Sequence, residues 1–263
     1  VSETVPVGGP IPMQTNPSQR PGPSAVRALA AFVLLGLLAA CASIPDDERD
    51  PRDPWESYNR VMYQFNSDFD KTFWKPVAEG YQFIMPDPLD RGVTNFFNNL
   101  RDFTSAANNV LQFKMSHAVS DLGRVLVNST LGLLGFIDVA SNLDLPSYKE
   151  DFGQTLGAWG IGPGPYFVIP ILGPSSVRDG LGLIPDWYTQ PVAYIDDVKT
   201  RWALSLTYAV DKRADLLGAS RVMEEAALDP YTFTRDAYLQ RRRNLVYDGN
   251  PPMSEEDDYL DDE

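Results

Sequence analysis

Cysteine and histidine are nearly absent from the 263-residue chain, each occurring once, as Cys41 and His117. A disulfide framework, a Cys/His zinc site and any mechanism needing two imidazoles are therefore excluded within one copy. Basic residues are also scarce. Twenty-two Lys and Arg stand against 36 Asp and Glu, and a formal net charge of −14 argues against a nucleic-acid partner held through phosphate contacts. The apolar run from Ala28 to Ala40 has 13 residues, too few to cross a bilayer as a helix. Alternating runs long enough for a sheet are missing, which leaves a mostly α fold. No Gly-x-x-x-x-Gly-Lys-[Ser/Thr] string and no Gly-x-Ser-x-Gly elbow occurs, so nothing in the chain reads as an ATP site or as the nucleophile turn of a hydrolase. His117, beside Ser116 on a helical pattern, reads as a structural or exposed helix residue.

What remains is ample for folding: 43% of residues are hydrophobic, enough for one or two compact domains. The two ends stand apart from that body. Arg20 and Arg27 precede the apolar run, and small residues close it, the layout of an export signal over residues 1–40. Leu38-Ala39-Ala40-Cys41 resembles the bacterial lipobox, in which cleavage leaves the cysteine first and its sulfur is acylated. Met13 is an alternative start to Val1. Ala42 stands where an Asp would often signal inner-membrane retention, so the outer membrane is the expected destination. Residues 41–52 read as anchor and tether. At the other end, 249–263 contains seven acidic residues and little to bury, the composition of a disordered tail.

Between the ends, 53–248 reads as one helical domain. Trp55, Tyr58, Met62, Phe65, Phe69 and Phe73 follow helical spacing. Pro76 and Pro88 suit first helical turns. Further helical patterns run over 103–114, 116–137, 151–159, 196–217, 220–228 and 231–246. The first helices use Phe, Tyr and Trp where a soluble bundle would use Leu, Ile and Val; such rings suit a core and also the membrane–water boundary. Gly153-x-x-x-Gly157 adds small positions that let helix backbones approach closely.

The segment from Gly160 to Pro174 is apolar yet punctuated by Gly160, Gly162, Gly164 and Gly173 and by Pro163, Pro165, Pro170 and Pro174. Neither a long helix nor a central strand can persist through it. Its backbone needs partners, so it is expected against helices or along a cavity, either as a buried connector or as a hairpin that gates a lipid passage.

Several strings in this order carry a resemblance: Asp53-Pro54-Trp55-Glu56-x-x-Asn59-Arg60, Phe65-Asn66, Asn128-Ser129-Thr130-Leu131-Gly132-x-x-Gly135-x-x-Asp138, Phe152-Gly153-Gln154-Thr155-Leu156-Gly157 and Gly162-x-Gly164-Pro165-Tyr166. With Pro170-x-x-Gly173-Pro174-Ser175-x-x-Arg178-Asp179 and Asp229-Pro230-Tyr231, the body over 50–248 resembles the MlaA/VacJ lipoprotein family. The resemblance implies an all-α, ring-shaped assembly of amphipathic helices around a central amphipathic channel, embedded in the inner leaflet of the outer membrane. It implies removal of mislocalised phospholipid from the outer leaflet, transfer to a periplasmic carrier of the MlaC type, and association with a trimeric porin. No cofactor and no enzymatic activity are implied. Gly160, Gly162, Gly164, Pro165 and Tyr166 correspond to the family's hairpin region, with Pro163 a departure that stiffens it. Arg124, Arg178 and Lys199 are candidate head-group contacts, and Arg241-Arg242-Arg243 could face lipid phosphates or an acidic partner. A non-transporting envelope scaffold and, with poorer support, a lipid hydrolase using His117 are the rival readings.

Overall fold

The computed structural model of the chain describes residues 50–252. Cys41, the export segment and the tail beyond Pro252 lie outside the described residues. Helix α1 (Glu56–Phe69) passes into a π-helical turn (Asp70–Trp74) and then α2 (Lys75–Ile84). The cause of the π turn is local. Pro76 has no N–H, and its ring crowds the carbonyl four residues back. Widening the preceding turn, so that the Lys75 N–H reaches the Asp70 carbonyl, carries the helix past it.

Helix α3 (Asp87–Leu111) has 25 residues and enters through Pro86-Asp87-Pro88. The sequence suggested a helix entered at Pro88 and a separate pattern over 103–114; nothing between them breaks a helix, and they are joined. The chain turns at Phe113 and folds back along α3 as α4 (Met115–Thr130). The helix expected over 116–137 stops at Thr130, where Gly132 and Gly135 begin a run of turns. Asp138 then caps the short α5 (Val139–Asn142), and Asp151 caps α6 (Phe152–Ala158), each accepting a backbone N–H three residues on.

The described chain is mostly helical, as expected, with one short exception. Tyr166–Ile169 (β1) and Gly173–Ser176 (β2) form an antiparallel hairpin, with Tyr166 opposite Ser176 and Ile169 opposite Gly173. Each strand has only four residues, too short for periodicity to register. The helix that follows the hairpin was not expected. Helix α7 (Val177–Thr189) contains Gly180, Gly182 and Pro185, which hid it, yet the Ser176 hydroxyl caps its start. Close approach requires those glycines: a Cβ on Gly182 would stand 2.6 Å from the Gly153 nitrogen. A 3-10 turn (Pro191–Tyr194), α8 (Val198–Asp215), α9 (Leu217–Ala226) and α10 (Pro230–Val246) complete the described chain.

Contacts between elements close a circuit. Helix α1 packs on β1, β2 on α7, α7 on α6, α6 on α3, α3 on α8, and α8 on α2, which returns through the π turn to α1. Helix α10 braces α6 and β2. Asp50, at the end of the expected tether, and Asp53, the first residue of the expected body, are both bound: Arg235 pairs with them at 3.0 and 3.5 Å, and the Tyr231 hydroxyl donates to Asp53.

Polarity is inverted relative to a water-soluble globule. Among the described residues 12 apolar side chains are buried, whereas 20 polar or charged ones are, and 40 large apolar side chains are exposed. Scattered exposed apolar residues are ordinary, but their excess over a buried polar set is not. Helix α3 shows it residue by residue. Asn99, Asp102, Ser105, Asn108 and Asn109 are buried, while Phe103, Val110 and Leu111 are exposed. No described helix is long and apolar enough to cross a membrane.

Two asparagines of α1 hold the hairpin. Asn59, fully buried, donates to Asp53 (2.7 Å) and to the Tyr166 carbonyl (3.1 Å) and accepts from the Val168 N–H (2.8 Å). Asn66 donates to the Ile169 carbonyl and accepts from the Ile171 N–H. Asn59→Ala is expected to cost roughly 2–4 kcal/mol, because it strips partners from buried groups on both sides. The check is the thermal midpoint in mild detergent; an unchanged midpoint would refute this role.

Candidate functional site

A cleft of about 450 Å³ opens between α1, the π turn, the hairpin, α9 and the start of α10. Val168, Gly173 and Pro174 of the hairpin form one side. Three cations, Arg60, Lys71 and Arg213, and three carboxylates, Asp70, Glu224 and Asp229, line it together with Tyr63, Met223 and Tyr231. Charged groups and apolar surface thus share one cavity. That combination is what an amphiphile needs.

Most of the charge is already paired. Arg60 bonds Glu56 at 2.7 Å and Asp229 at 2.8 Å, with its guanidinium carbon 4.5 Å from the Tyr231 ring centre. Arg213 grips Asp70 through Nε and Nη2 at 2.6 and 2.7 Å. Asp70 and Lys71 owe their place to the π turn. None of Asp70, Lys71 and Arg213 was singled out from the sequence. Pro76 was a legible cause of the irregular turn, but Arg213 is 143 positions from its partner and left no local signal.

The hairpin candidates divide. Tyr166 is fully buried against Tyr231 and Tyr238, and its N–H donates to the Arg52 carbonyl, so it is an anchor of the hairpin. Gly160, Gly162 and Gly164 are exposed and Pro165 is half-buried. Of the two readings of this stretch, the buried connector does not describe residues 160–164. Its carbonyls at Pro163 and Pro165 accept from the Arg178 and Val177 N–H groups at the start of α7, and those bonds satisfy the backbone without burying it. Gly160 and Gly164 have φ of +87° and +65°, conformations that favour glycine, whereas Gly162 has open space around it and ordinary φ. At the hairpin tip Ile171 has φ +68°, rare for a β-branched residue, and Asn66 holds its N–H.

The cation candidates fall elsewhere. Arg124 is buried, its Nε bonded to Asp102 (3.1 Å), its Nη2 to Asp138 (3.1 Å) and its Nη1 to the Leu145 carbonyl (2.7 Å). Arg178 is buried beside Asp179 at 2.9 Å. Lys199 is exposed on α8. None of the three lines the cleft. The Arg241-Arg242-Arg243 cluster is split by its helix: Arg242 is clamped by Asp151 (2.6 Å) and Asp179 (2.9 Å), and Arg243 donates to the Pro252 carbonyl. Asn128 and Asp138 bond each other and set the α4–α5 corner. His117 stacks on Tyr148 with ring centres 3.6 Å apart.

Comparison with known proteins places the chain among relatives. A family model described as MlaA lipoprotein matches residues 51–245. The Escherichia coli protein named intermembrane phospholipid transport system lipoprotein MlaA is 33% identical over 224 residues, covering 81% of this chain and 86% of its own. Its Haemophilus influenzae namesake is 32% identical, covering 88% and 96%. A chain from a solved structure concerned with maintenance of bacterial outer membrane lipid asymmetry matches with a TM-score of 0.64 and 31% identity, over 75% of this chain and 100% of that one.

Away from the residues that line the cleft, polar groups of α3, α6 and α7 meet at Asp186. It accepts from the Phe152 N–H at 3.0 Å and from Asn108 at 3.1 Å. Burial, reinforced by Asp151, pushes its carboxyl up to about 6. Between that value and about 4, the range of an unfolded carboxyl, the folded state holds a proton the unfolded state has lost. Stability therefore rises as pH falls from 7 to 5 through this group. Asp186→Asn is expected to flatten the change in thermal midpoint between those pH values; a variant with the parent's slope would refute the assignment.

Proposed function

The chain belongs to the MlaA lipoprotein family, and from that premise we propose that it is an outer-membrane lipoprotein of a phospholipid transport system. In this reading the mature protein is anchored through acylated Cys41 and lies in the inner leaflet. It removes mislocalised phospholipid from the outer leaflet and hands it to a periplasmic carrier, beside a trimeric porin. The inverted polarity carries the reading: apolar faces outward, polar groups inward, and no described helix able to cross the membrane. A body of that kind is at home within one leaflet, with lipid tails around it and a polar interior. The closed circuit of helices supports a ring around a passage.

The physical problem is the head group. Its charges lose water on entering hydrocarbon, at a cost of several kcal/mol, whereas its acyl chains prefer that environment. The cleft offers both kinds of partner, and the hairpin forms part of its wall. The glycines at 160–164, joined to that wall through Tyr166, are the proposed adjustable edge. Transport by this route needs no energy from the chain itself, and the direction of net flow belongs to its partners.

Loss of the gene is expected to accumulate phospholipid in the outer leaflet, restored by the wild-type chain; a normal outer leaflet would leave only the scaffold reading. Leu126→Arg, on the exposed face of α4, places a charge in hydrocarbon at about 2.5–3.5 kcal/mol. It should abolish that rescue while leaving circular dichroism in detergent unchanged, and full rescue would count against embedding. Gly164→Ala forces a positive φ on alanine, with its Cβ 3.3 Å from Val177, whereas Gly162→Ala meets open space. Outer-leaflet phospholipid should therefore rise with the first substitution and stay low with the second. Equal behaviour of the two would remove the hairpin from the mechanism.

A further inference from the structure

Pairing off the charges that line the cleft leaves a specific remainder. Asp70 is taken by Arg213, and Asp229 by Arg60 and the Thr232 hydroxyl. Arg213 uses Nε and Nη2 on Asp70, while its Nη1 is buried with no acceptor among the described residues. A guanidinium N–H without an acceptor is costly, and a ligand oxygen would relieve it. Lys71, the neighbour of Asp70 on the π turn, is exposed and has no ion pair among the described residues. Glu224, on α9, is 41% exposed, pairs loosely with Lys75 at 3.5 Å and adds to the field that holds the charge on Arg213.

One unpaired ammonium, one guanidinium N–H without an acceptor and one loosely paired, exposed carboxylate thus share a single cavity that also presents Val168, Pro174 and Met223. We infer that the cleft selects phospholipids with zwitterionic, amine-bearing head groups, with Lys71 and Arg213 Nη1 taking the phosphate and Glu224 the ammonium. The inference rests on the lipid-passage reading and adds a head-group class to it. A head group bearing phosphate alone would satisfy the cations but leave Glu224 facing a second negative charge. Adding an ammonium balances the site. The apolar residues beside it suit the first methylenes of the acyl chains.

The test uses the full chain in mild detergent, exchanged against equal amounts of phosphatidylethanolamine and phosphatidylglycerol, with retained lipid measured by mass spectrometry. Wild type is expected to retain the ethanolamine lipid in several-fold excess. Lys71→Gln should cut total retention about tenfold, the order of one charge-assisted hydrogen bond. Glu224→Gln should bring the two lipids near parity. Both residues are exposed, so these variants probe the cleft without removing the Arg213 grip on Asp70. Wild-type amounts and ratios in both variants would overturn the head-group assignment and leave the passage reading standing. A wild-type protein that retains no lipid would overturn both. Excess inorganic phosphate serves as the competing arm: displacement of the lipid by phosphate alone would assign the subsite to the free anion and overturn the zwitterion claim, and its failure to displace supports it.

Discussion

With so many of its helices turning apolar faces outward, the body must satisfy the polar groups it turns inward by joining them to one another. The α3–α4 seam shows how far this goes. Asp121 accepts from Ser105 (2.6 Å) and Asn109 (2.9 Å), and Arg124 ties Asp102 to Asp138, so a buried charge on one helix is met from the next. Arg242 does the same between α10, the start of α6 and α7, lowering the carboxyl pKa of Asp151 and Asp179 despite the burial that opposes it. Removing one partner of such a pair leaves an uncompensated buried charge, worth about 3–5 kcal/mol. The networks therefore fix which helix faces can meet, and the circuit of elements follows from them.

The same requirement explains the hairpin. A two-stranded hairpin leaves an outer edge of unpaired backbone groups. Here α1 covers that edge with side-chain amides. Seven helical residues, the interval from Asn59 to Asn66, rise about 10.5 Å. The backbone pairs they engage, at 166/168 and 169/171, are three strand residues apart, about 10 Å. The two periods agree, so one helix face can serve both pairs without distortion. One consequence is that the cleft wall is a rigid assembly of α1 and the hairpin, and Ile171 can be held in a left-handed conformation at its tip. The glycines before Tyr166 lie outside this grip, which is why adjustment is assigned to them.

Much of the fold was legible in the sequence, and the places where it was not have physical causes. The aromatic helical stripe of α1, the proline entries and the apolar positions of α4 and α8 all register because periodicity is local. Helix α7 did not register, because Gly182 serves a close approach to α6, and Gly180 one to Phe167 of the hairpin, that exist only in three dimensions. The candidate cations show the same limit. Arg178 sits in a recognisable string and Arg124 one helical turn before another, yet both make internal ion pairs. Arg213 and Lys71 line the cleft because a π turn and a contact 143 positions away bring them there. Local pattern reports which residues are held in a special way. It does not report whether they are held for the fold or for a ligand.

Length alone would allow helix α3 to cross a membrane, since 25 residues rise about 37 Å against roughly 30 Å of hydrocarbon. Its buried stripe of Asn, Asp and Ser forbids that unless other polar stripes cover it, and α4, α6 and α7 supply them. A helix so covered has one apolar face left, which in the proposed reading lies along a leaflet and does not stand through the bilayer. Several helices obeying that rule, closed into a circuit, necessarily direct their polar stripes toward a common interior. The polar interior and the apolar rim are then two results of one constraint, and a cleft that opens between α1, α9 and the hairpin inherits both characters. That inheritance is what makes it suited to a molecule with a charged head and apolar tails.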